Sequence, residues 1–401
     1  MYNKKMQELG SNPSAIRDLF EYGKRRKLEI GDSNVFDFSL GNPSVEAPKI
    51  VNDTLIDLIK NTDSCKLHGY TSAVGDLNVR KSIENYLNKT YNASVSSDLI
   101  YLTVGAAASL TITLNAILNE KEEVIVIAPF FPEYKVFIEK AGGKLVIAKA
   151  LKNTFLPDIE EIKKCINQNT KAIIINYPNN PTGVMIDKNT LIELCNLLSE
   201  KEKEYNHPIY LISDEPYREL LYGNNPYLFV TNYYYNSIVC YSFSKSLSLP
   251  GERIGYILVN PKCLNALDVY FAVCGAGRSL GFVCAPALFQ YMIPKCLGYT
   301  SDLSVYETNR DILYNELTNI GYKVVKPDGA FYLFVKALES DAVSFCEKAK
   351  VYELLLVPSN SFGYDGYIRI SYCVDTLMIK RSISSFKTLY ESYNGGKSWV
   401  I

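Results

Sequence analysis

Six short runs of this chain are apolar almost from end to end: EVIVIAP (Glu123 to Pro129), KLVIAKA (Lys144 to Ala150), KAIIINYP (Lys171 to Pro178), PIYLISDE (Pro208 to Glu215), SIVCYSFS (Ser237 to Ser244) and RIGYILV (Arg253 to Val259). Successive residues of a strand point to opposite faces, so a strand with one wet face alternates, and a run that does not alternate is covered on both sides. Between the runs lie stretches such as ASLTITLNAILNE (Ala108 to Glu120) and KNTLIELCNLLSEKEKEY (Lys188 to Tyr205), whose apolar residues recur three and four apart as on a helix face. Strands alternating with helices predict crossover connections and a largely parallel sheet, the α/β class. The last hundred residues change character. A helix near Val305 to Ile320 is followed by GYKVVKP, AFYLFVKA, LLLVPS and YIRISYC as strands beside another helix, a smaller α+β unit. The first forty-odd residues are too few for a core of their own and are expected to pack with it. The expected division is a large domain over 47–295 and a small one formed by 1–46 with 296–401.

Lys and Arg total 42 against 43 Asp and Glu among 401 residues, so the chain carries no basic footprint for nucleic acid or an anionic membrane. The opening residues, MYNKKMQELGSNPSAIRDLF, contain no apolar stretch of signal-peptide length. The longest apolar region, Val269 to Pro294, is interrupted by Arg278 and glycines and reads as buried helix and loop. Ten cysteines are scattered without framework spacing, as expected of reduced thiols in a cytosol. His68 and His207 stand far apart with no ligand spacing, which argues against a histidine metal site or a catalytic histidine. A cytoplasmic enzyme acting on small molecules, without a metal, is expected.

Open α/β sheets bind ligands beyond the carboxyl ends of their strands. Three polar residues follow such ends: Asn180 in NNPTG, Asp214 in SDEPY and Lys245 in SFSKSLSLPGERIG. This last segment, Ser242 to Gly255, resembles the lysine signature of the class I and II aminotransferases at every constrained position. LGNP around Gly41, HGY ending at Tyr70, TVGAAAS around Gly105, PFF ending at Phe131, NNPTG, DEPY and RIS at Arg369 follow in the family's order, so the resemblance covers nearly the whole chain.

That resemblance implies fold type I of the pyridoxal-phosphate enzymes, an αβα sandwich with a mostly parallel mixed sheet plus the smaller α+β domain. Lys245 would hold pyridoxal 5'-phosphate as a Schiff base and move the substrate α-proton. Asp214 would keep the pyridine nitrogen protonated. Asn180 and Tyr217 would bond the ring's phenolic oxygen. The phosphate would lie on Ser242, Ser244, Arg253 and the backbone amides of Gly105, Ala106 and Ala107, where the alanines lack the hydroxyl some members supply. Phe131 would stack on the ring, and Tyr70 would reach the phosphate of a neighbouring subunit, which implies a homodimer with shared sites. Arg369 would grip the substrate α-carboxylate, with Gly41 lying over the substrate. Arg278 is a candidate for a side-chain carboxylate.

Each residue has an ordinary reading when taken alone. Asp214 and Asn180 are common turn formers, Arg253 could end a surface ion pair, and Arg278 could sit in a structural salt bridge. Phe131 and Tyr70 belong to a chain with 31 tyrosines and 17 phenylalanines. A fourteen-residue pattern with its partners in order outweighs these readings for Lys245. The implied reaction is transfer of an amino group between an L-amino acid and a 2-oxo acid, alternating pyridoxal and pyridoxamine forms, with aspartate and 2-oxoglutarate as the expected pair. A pyridoxal-phosphate carbon-sulfur lyase shares the same residues and is the alternative. A DNA-binding regulator carrying such a domain is disfavoured, because the stretch before Gly41 is too short for a winged helix and lacks a basic patch.

Overall fold

A computed structural model describes residues 2–11, 15–223 and 226–394. The C-terminal run read as a loose tail, with Gly395 and Gly396, lies outside these residues. After β1 (Phe36–Asp37) come seven strands of one sheet: β2 (Ile100–Thr103), β3 (Glu123–Ala128), β4 (Lys144–Lys149), β5 (Thr170–Ile175), β6 (Tyr210–Asp214), β7 (Ser237–Ser242) and β8 (Gly255–Val259). Their spatial order is β2-β8-β7-β6-β5-β3-β4. Strands β3 to β7 are mutually parallel, joined through helices such as Lys188–Tyr205.

Both faces of this sheet are covered, as the unbroken apolar runs require. Ile125, Ile173, Leu211 and Val239 pack in one core, and Val124, Ala172, Ile212 and Ile238 in another on the opposite face. The second core includes the helix Ala106–Ile117, whose sequence AAASLTITLNAI has no charged face to offer water. Strand β4, at the sheet edge, is only partly covered.

Strand β8 runs antiparallel to β7 and to β2. No helix intervenes between β7 and β8. The chain turns straight back through residues 243–254, and an antiparallel return needs no crossover. Consequently the N-terminal end of β8 lies at the same sheet edge as the C-terminal ends of the parallel strands.

The second unit has β9 (Val324–Val325), β10 (Tyr332–Lys336), β11 (Leu354–Leu355), β12 (Val357–Pro358) and β13 (Tyr367–Ser371). Four form a sheet in the order β12-β13-β10-β9, while β11 pairs in parallel with β1. The N-terminal segment is thus tied to the C-terminal one, and Phe38 enters the core of Leu333, Ile370 and Phe386. The expected long helix spans Leu303–Ile320. Its N-terminus is capped by the Asp302 side chain, and Gly321 ends it at a φ of 119° that side chains rarely adopt. Among the described residues no helix is long and apolar enough to cross a membrane. All ten cysteines are free.

Candidate active site

The sheet's carboxyl edge opens into a cavity of about 260 Å³. Asp214 ends β6, Ser242 ends β7, and Gly105 follows β2; Asn180 and Phe131 follow β5 and β3. The return from β7 to β8 adds Ser244, Lys245 and Arg253. From the smaller unit β13 contributes Arg369, and Gly41 follows β1. Gly41, Ala106, Ala107, Phe131, Asn180, Asp214, Tyr217, Ser242, Ser244, Lys245, Arg253 and Arg369 all line this one cavity. Gly105 stands at its wall as the residue before the 106–117 helix.

Two candidates lie elsewhere. Tyr70 is 99% exposed, and Arg278 is exposed on the last turn of the helix Ala266–Ser279. Neither lines the cavity.

Lys245 Nζ donates to the Gly41 carbonyl at 2.6 Å. Burial, with help from the nearby Arg253 and Arg369 charges, pushes the Lys245 amine down to about 8. At pH 7 roughly a tenth is therefore the neutral amine that attacks a carbonyl, far more than for a free lysine, and above about pH 8 most of it is.

Asp214 is 4% exposed. Its Oδ2 accepts from the Tyr134 hydroxyl at 2.6 Å, and Oδ1 has no partner. Burial raises its carboxyl to about 7, opposed by the Tyr134 bond. Asn176 steadies this corner, donating to the Asp214 carbonyl and accepting from the Asn180 amide, both at 2.8 Å.

At the other end, Gly105 has a φ of +95°, and a Cβ there would lie 2.6 Å from Arg253 Nη2. A side chain would displace the guanidinium from the first amides of the 106–117 helix. Arg253 itself has a φ of 52°, and its Nη1 donates to Ser244 Oγ at 3.3 Å, while Ser244 and Ser242 hydroxyls pair at 2.8 Å. Among the described residues Arg253 has no acidic partner within salt-bridge distance. Its Nη1 also donates to the Pro250 carbonyl at 2.9 Å. A helix N-terminus, a guanidinium without a counter-charge and two hydroxyls make a dianion site.

Arg369 is 2% exposed. It donates to Asn180 Oδ1 at 3.2 Å and to the Ser39 carbonyl; its Nε has no partner. No carboxylate lies within salt-bridge reach, and burial lowers its guanidinium from the usual value.

These residues fit pyridoxal phosphate on the geometry alone. The dianion site, the free Asp214 oxygen and the lysine amine match a phosphate, a cationic ring N–H and an aldehyde, and Arg369, with no counter-charge and an unbonded Nε, remains for a carboxylate. Among the described residues no group of three or more His, Cys, Asp or Glu is placed to hold a metal.

The sequence reading missed Tyr332, Tyr134 and Asn176. Tyr332 lines the cavity from β10, its hydroxyl 2.9 Å from that of Tyr217 and its ring 4.7 Å from the Arg369 guanidinium carbon. Asn176 ends the run AIIIN and was within reach of the strand-end rule. Nothing local separates Tyr134 and Tyr332 from the many other tyrosines.

The family described as aminotransferase class I and II matches residues 33–386. A probable aspartate aminotransferase of Methanocaldococcus jannaschii is 31% identical over 388 residues, covering 94% of this chain and 97% of that protein. An aspartate aminotransferase of Pyrococcus horikoshii is 30% identical, covering 90% of each. Among solved structures, an amino transferase from Eubacterium rectale shares 53% identity at a TM-score of 0.97, covering 98% of this chain and 99% of that one. The aspartate aminotransferase of Thermotoga maritima superposes at 0.84 with 26% identity, covering 96% and 99%.

Proposed function

The chain belongs to the class I and II aminotransferases, pyridoxal-phosphate enzymes, and on that premise we propose that it exchanges the amino group of aspartate with 2-oxoglutarate, using the cavity around Lys245. The single observation that carries the site is the Lys245 amine, lowered to about 8 in a cavity it shares with Arg253 and Arg369, two guanidiniums without an acidic partner among the described residues. The aspartate names of the two relatives support the substrate pair. Nothing among these relatives supports the carbon-sulfur lyase alternative.

When bound, pyridoxal phosphate supplies an electron sink for negative charge at the substrate α-carbon. The chain's residues do the rest. Arg253, Ser242, Ser244 and the amides of Gly105, Ala106 and Ala107 would hold the phosphate. Asp214 would accept from the ring nitrogen and favour its protonated form. Asn180 and Tyr217 would bond the ring oxygen, and Phe131 would cover the ring. Arg369 binds the α-carboxylate as a planar pair, orienting the α-hydrogen toward Lys245 under the Gly41 backbone. Lys245 would hold the cofactor's aldehyde, and its neutral amine, buried beside the Gly41 carbonyl, would carry the α-proton.

The division at 47–295 against 1–46 with 296–401 belongs to this reading, supported by the β1–β11 pairing and by the core that Phe38 shares with Leu333, Ile370 and Phe386; Tyr217, Leu220 and Tyr222 also enter that core, and Phe334 enters the large one. So does a homodimer with shared sites: Tyr70 and Arg278 are exposed and do not line this chain's cavity, which leaves them for the site of a second copy, Arg278 for a side-chain carboxylate. A cytosolic setting agrees with ten free cysteines.

The test is to load the purified protein with pyridoxal phosphate, add aspartate, and follow the visible band together with oxaloacetate. The band should shift as oxaloacetate appears, and 2-oxoglutarate should restore it. Release of an oxo acid from another amino acid but not aspartate would move the substrate. No oxo acid from any common amino acid would sink the reading.

A further inference from the structure

We propose that Tyr332 is a positioning residue for two of the site's groups at once: its hydroxyl donates to Tyr217 and turns that hydroxyl into the cavity, and its ring seats the Arg369 guanidinium. The inference rests on the site assignment above and deepens it.

Register places the ring. In the antiparallel pair β10–β13, Tyr332 lies opposite Ser371 and Phe334 opposite Arg369. Residues two apart on a strand share a face, so Tyr332 and Arg369 are diagonal neighbours on one side of the sheet. The guanidinium carbon stands 4.7 Å over the Tyr332 ring and 5.1 Å from that of Phe362. A buried guanidinium without a carboxylate is attracted to such a ring face, and the ring also limits where its planar fork can point.

The hydroxyl has a separate task. It lies 2.9 Å from the Tyr217 hydroxyl, with the two rings edge to face at 85°. The same atom explains why residue 41 is glycine, since a Cβ there would fall 2.1 Å from the Tyr332 oxygen. Gly41 in turn accepts from Lys245, so Tyr332 abuts three elements of the site.

Two buried hydroxyls that share one bond must divide the roles of donor and acceptor. In the site assignment above the Tyr217 hydroxyl gives its single proton to the ring oxygen, so it can only accept from its neighbour 2.9 Å away. Tyr332 therefore donates. The Tyr217 oxygen is then occupied as an acceptor, and its own O–H is free for an acceptor in the cavity. Donation onto Tyr217 also polarises that O–H, as in any chain of hydrogen bonds.

The experiment uses the full chain loaded with pyridoxal phosphate, as wild type, Tyr332→Phe, Tyr332→Leu, Tyr217→Phe and the double variant Tyr217→Phe/Tyr332→Phe. The first readout is the pH midpoint of the visible band. Donors to the ring oxygen favour its unprotonated state, so losing the Tyr332 hydroxyl should raise the midpoint by about half a pH unit or more. On the Tyr217→Phe background the second change should add nothing, because the effect passes through Tyr217. The second readout is maleate affinity by spectral titration. Tyr332→Phe should hold within about twofold of wild type and Tyr332→Leu should weaken about tenfold, because only the latter removes the ring.

A Tyr332→Phe midpoint within about 0.2 pH units of wild type, far less than a lost hydrogen bond predicts, overturns the hydroxyl role, as do additive shifts in the double variant. Wild-type maleate affinity in Tyr332→Leu overturns the ring role. A wild-type protein with no visible band would instead remove the site assignment on which both rest. Tyr332→Phe preserves volume and packing, so the first readout stands even where Tyr332→Leu fails to fold.

Discussion

Two arginines are sealed in this molecule, Arg218 at 1% exposed and Arg369 at 2%, and the chain treats them in opposite ways. Arg218 has its counter-charge built in. Glu215, three residues earlier, accepts from its Nε at 2.6 Å, and Tyr256 accepts from Nη1 at 2.8 Å. The rings of Tyr241, Phe229 and Tyr91 surround it at 4.2, 5.2 and 5.6 Å. Burial pulls its guanidinium down, but Glu215 and its neighbours carry it well above the usual value. Arg369 has a neutral amide, a backbone carbonyl and two rings, and burial lowers it. A buried charge without a partner costs stability, and a chain retains it where the partner arrives from outside. Arg218 is tied to the Asp214–Tyr217 segment through Glu215; under the proposed function Arg369 is left for the substrate carboxylate.

The comparison predicts that changes in the cavity cost activity and spare stability, and that changes in the cage do the reverse. Lys245→Ala should show the largest effect. Turnover should fall by about four orders of magnitude or more, as expected when anchor and proton carrier are lost together, and urea unfolding at pH 7 should not weaken. Loss of stability with normal turnover would break the contrast. Arg369→Ala follows, with kcat/KM for aspartate down about a thousandfold from a lost charge-paired contact and an unfolding midpoint no lower than wild type. Arg218→Met is the mirror case. It strands Glu215 in the interior and should cost about 3–5 kcal/mol of unfolding free energy, and adding Glu215→Leu should recover most of it. If the single change is silent, the cage does not hold Glu215 as its distances suggest.

The same contrast explains what could be read from the sequence. The strands β3 and β5 to β7 announce themselves because being covered on both faces leaves no room for polar residues. Strand β2, with only IYLT, has too few residues to stand out, and it was missed. The direction of β8 is not written in hydrophobicity at all; only the absence of a helical period in residues 243–254 hints at the return. The gathering of Lys245, Asp214 and Asn180 at one cavity was legible because residues at or just beyond strand ends carry local patterns. Tyr332 and the Arg218 cage were not, because their partners lie on other elements: Tyr217 is 115 residues from Tyr332 in the chain. Tyr70 was legible as a motif position and Arg278 as a charge interrupting an apolar region, but neither lines this chain's cavity.

The smallest effect sharpens the picture of groups awaiting a ligand. Lys245 titrates at about 8 in the folded protein against 10.5 in a free chain. Between those values the unfolded chain holds the extra proton, so unfolding free energy should rise with pH; the penalty for the buried ammonium is complete below about pH 8 and gone above 10.5. At most it amounts to about 3 kcal/mol. Asp214 slopes the other way. Its folded value of about 7 against 3.8 means the folded protein holds the extra proton in that window, so stability should fall as pH rises from about 4 to 7. Pyridoxal phosphate should flatten both slopes, since it occupies the Lys245 nitrogen and places a cationic N–H beside Asp214. Urea unfolding across pH with and without it measures this directly. Slopes that persist unchanged in the loaded protein would mean that these two groups do not face the cofactor, and the division between a finished cage and an unfinished cavity would fail at its centre.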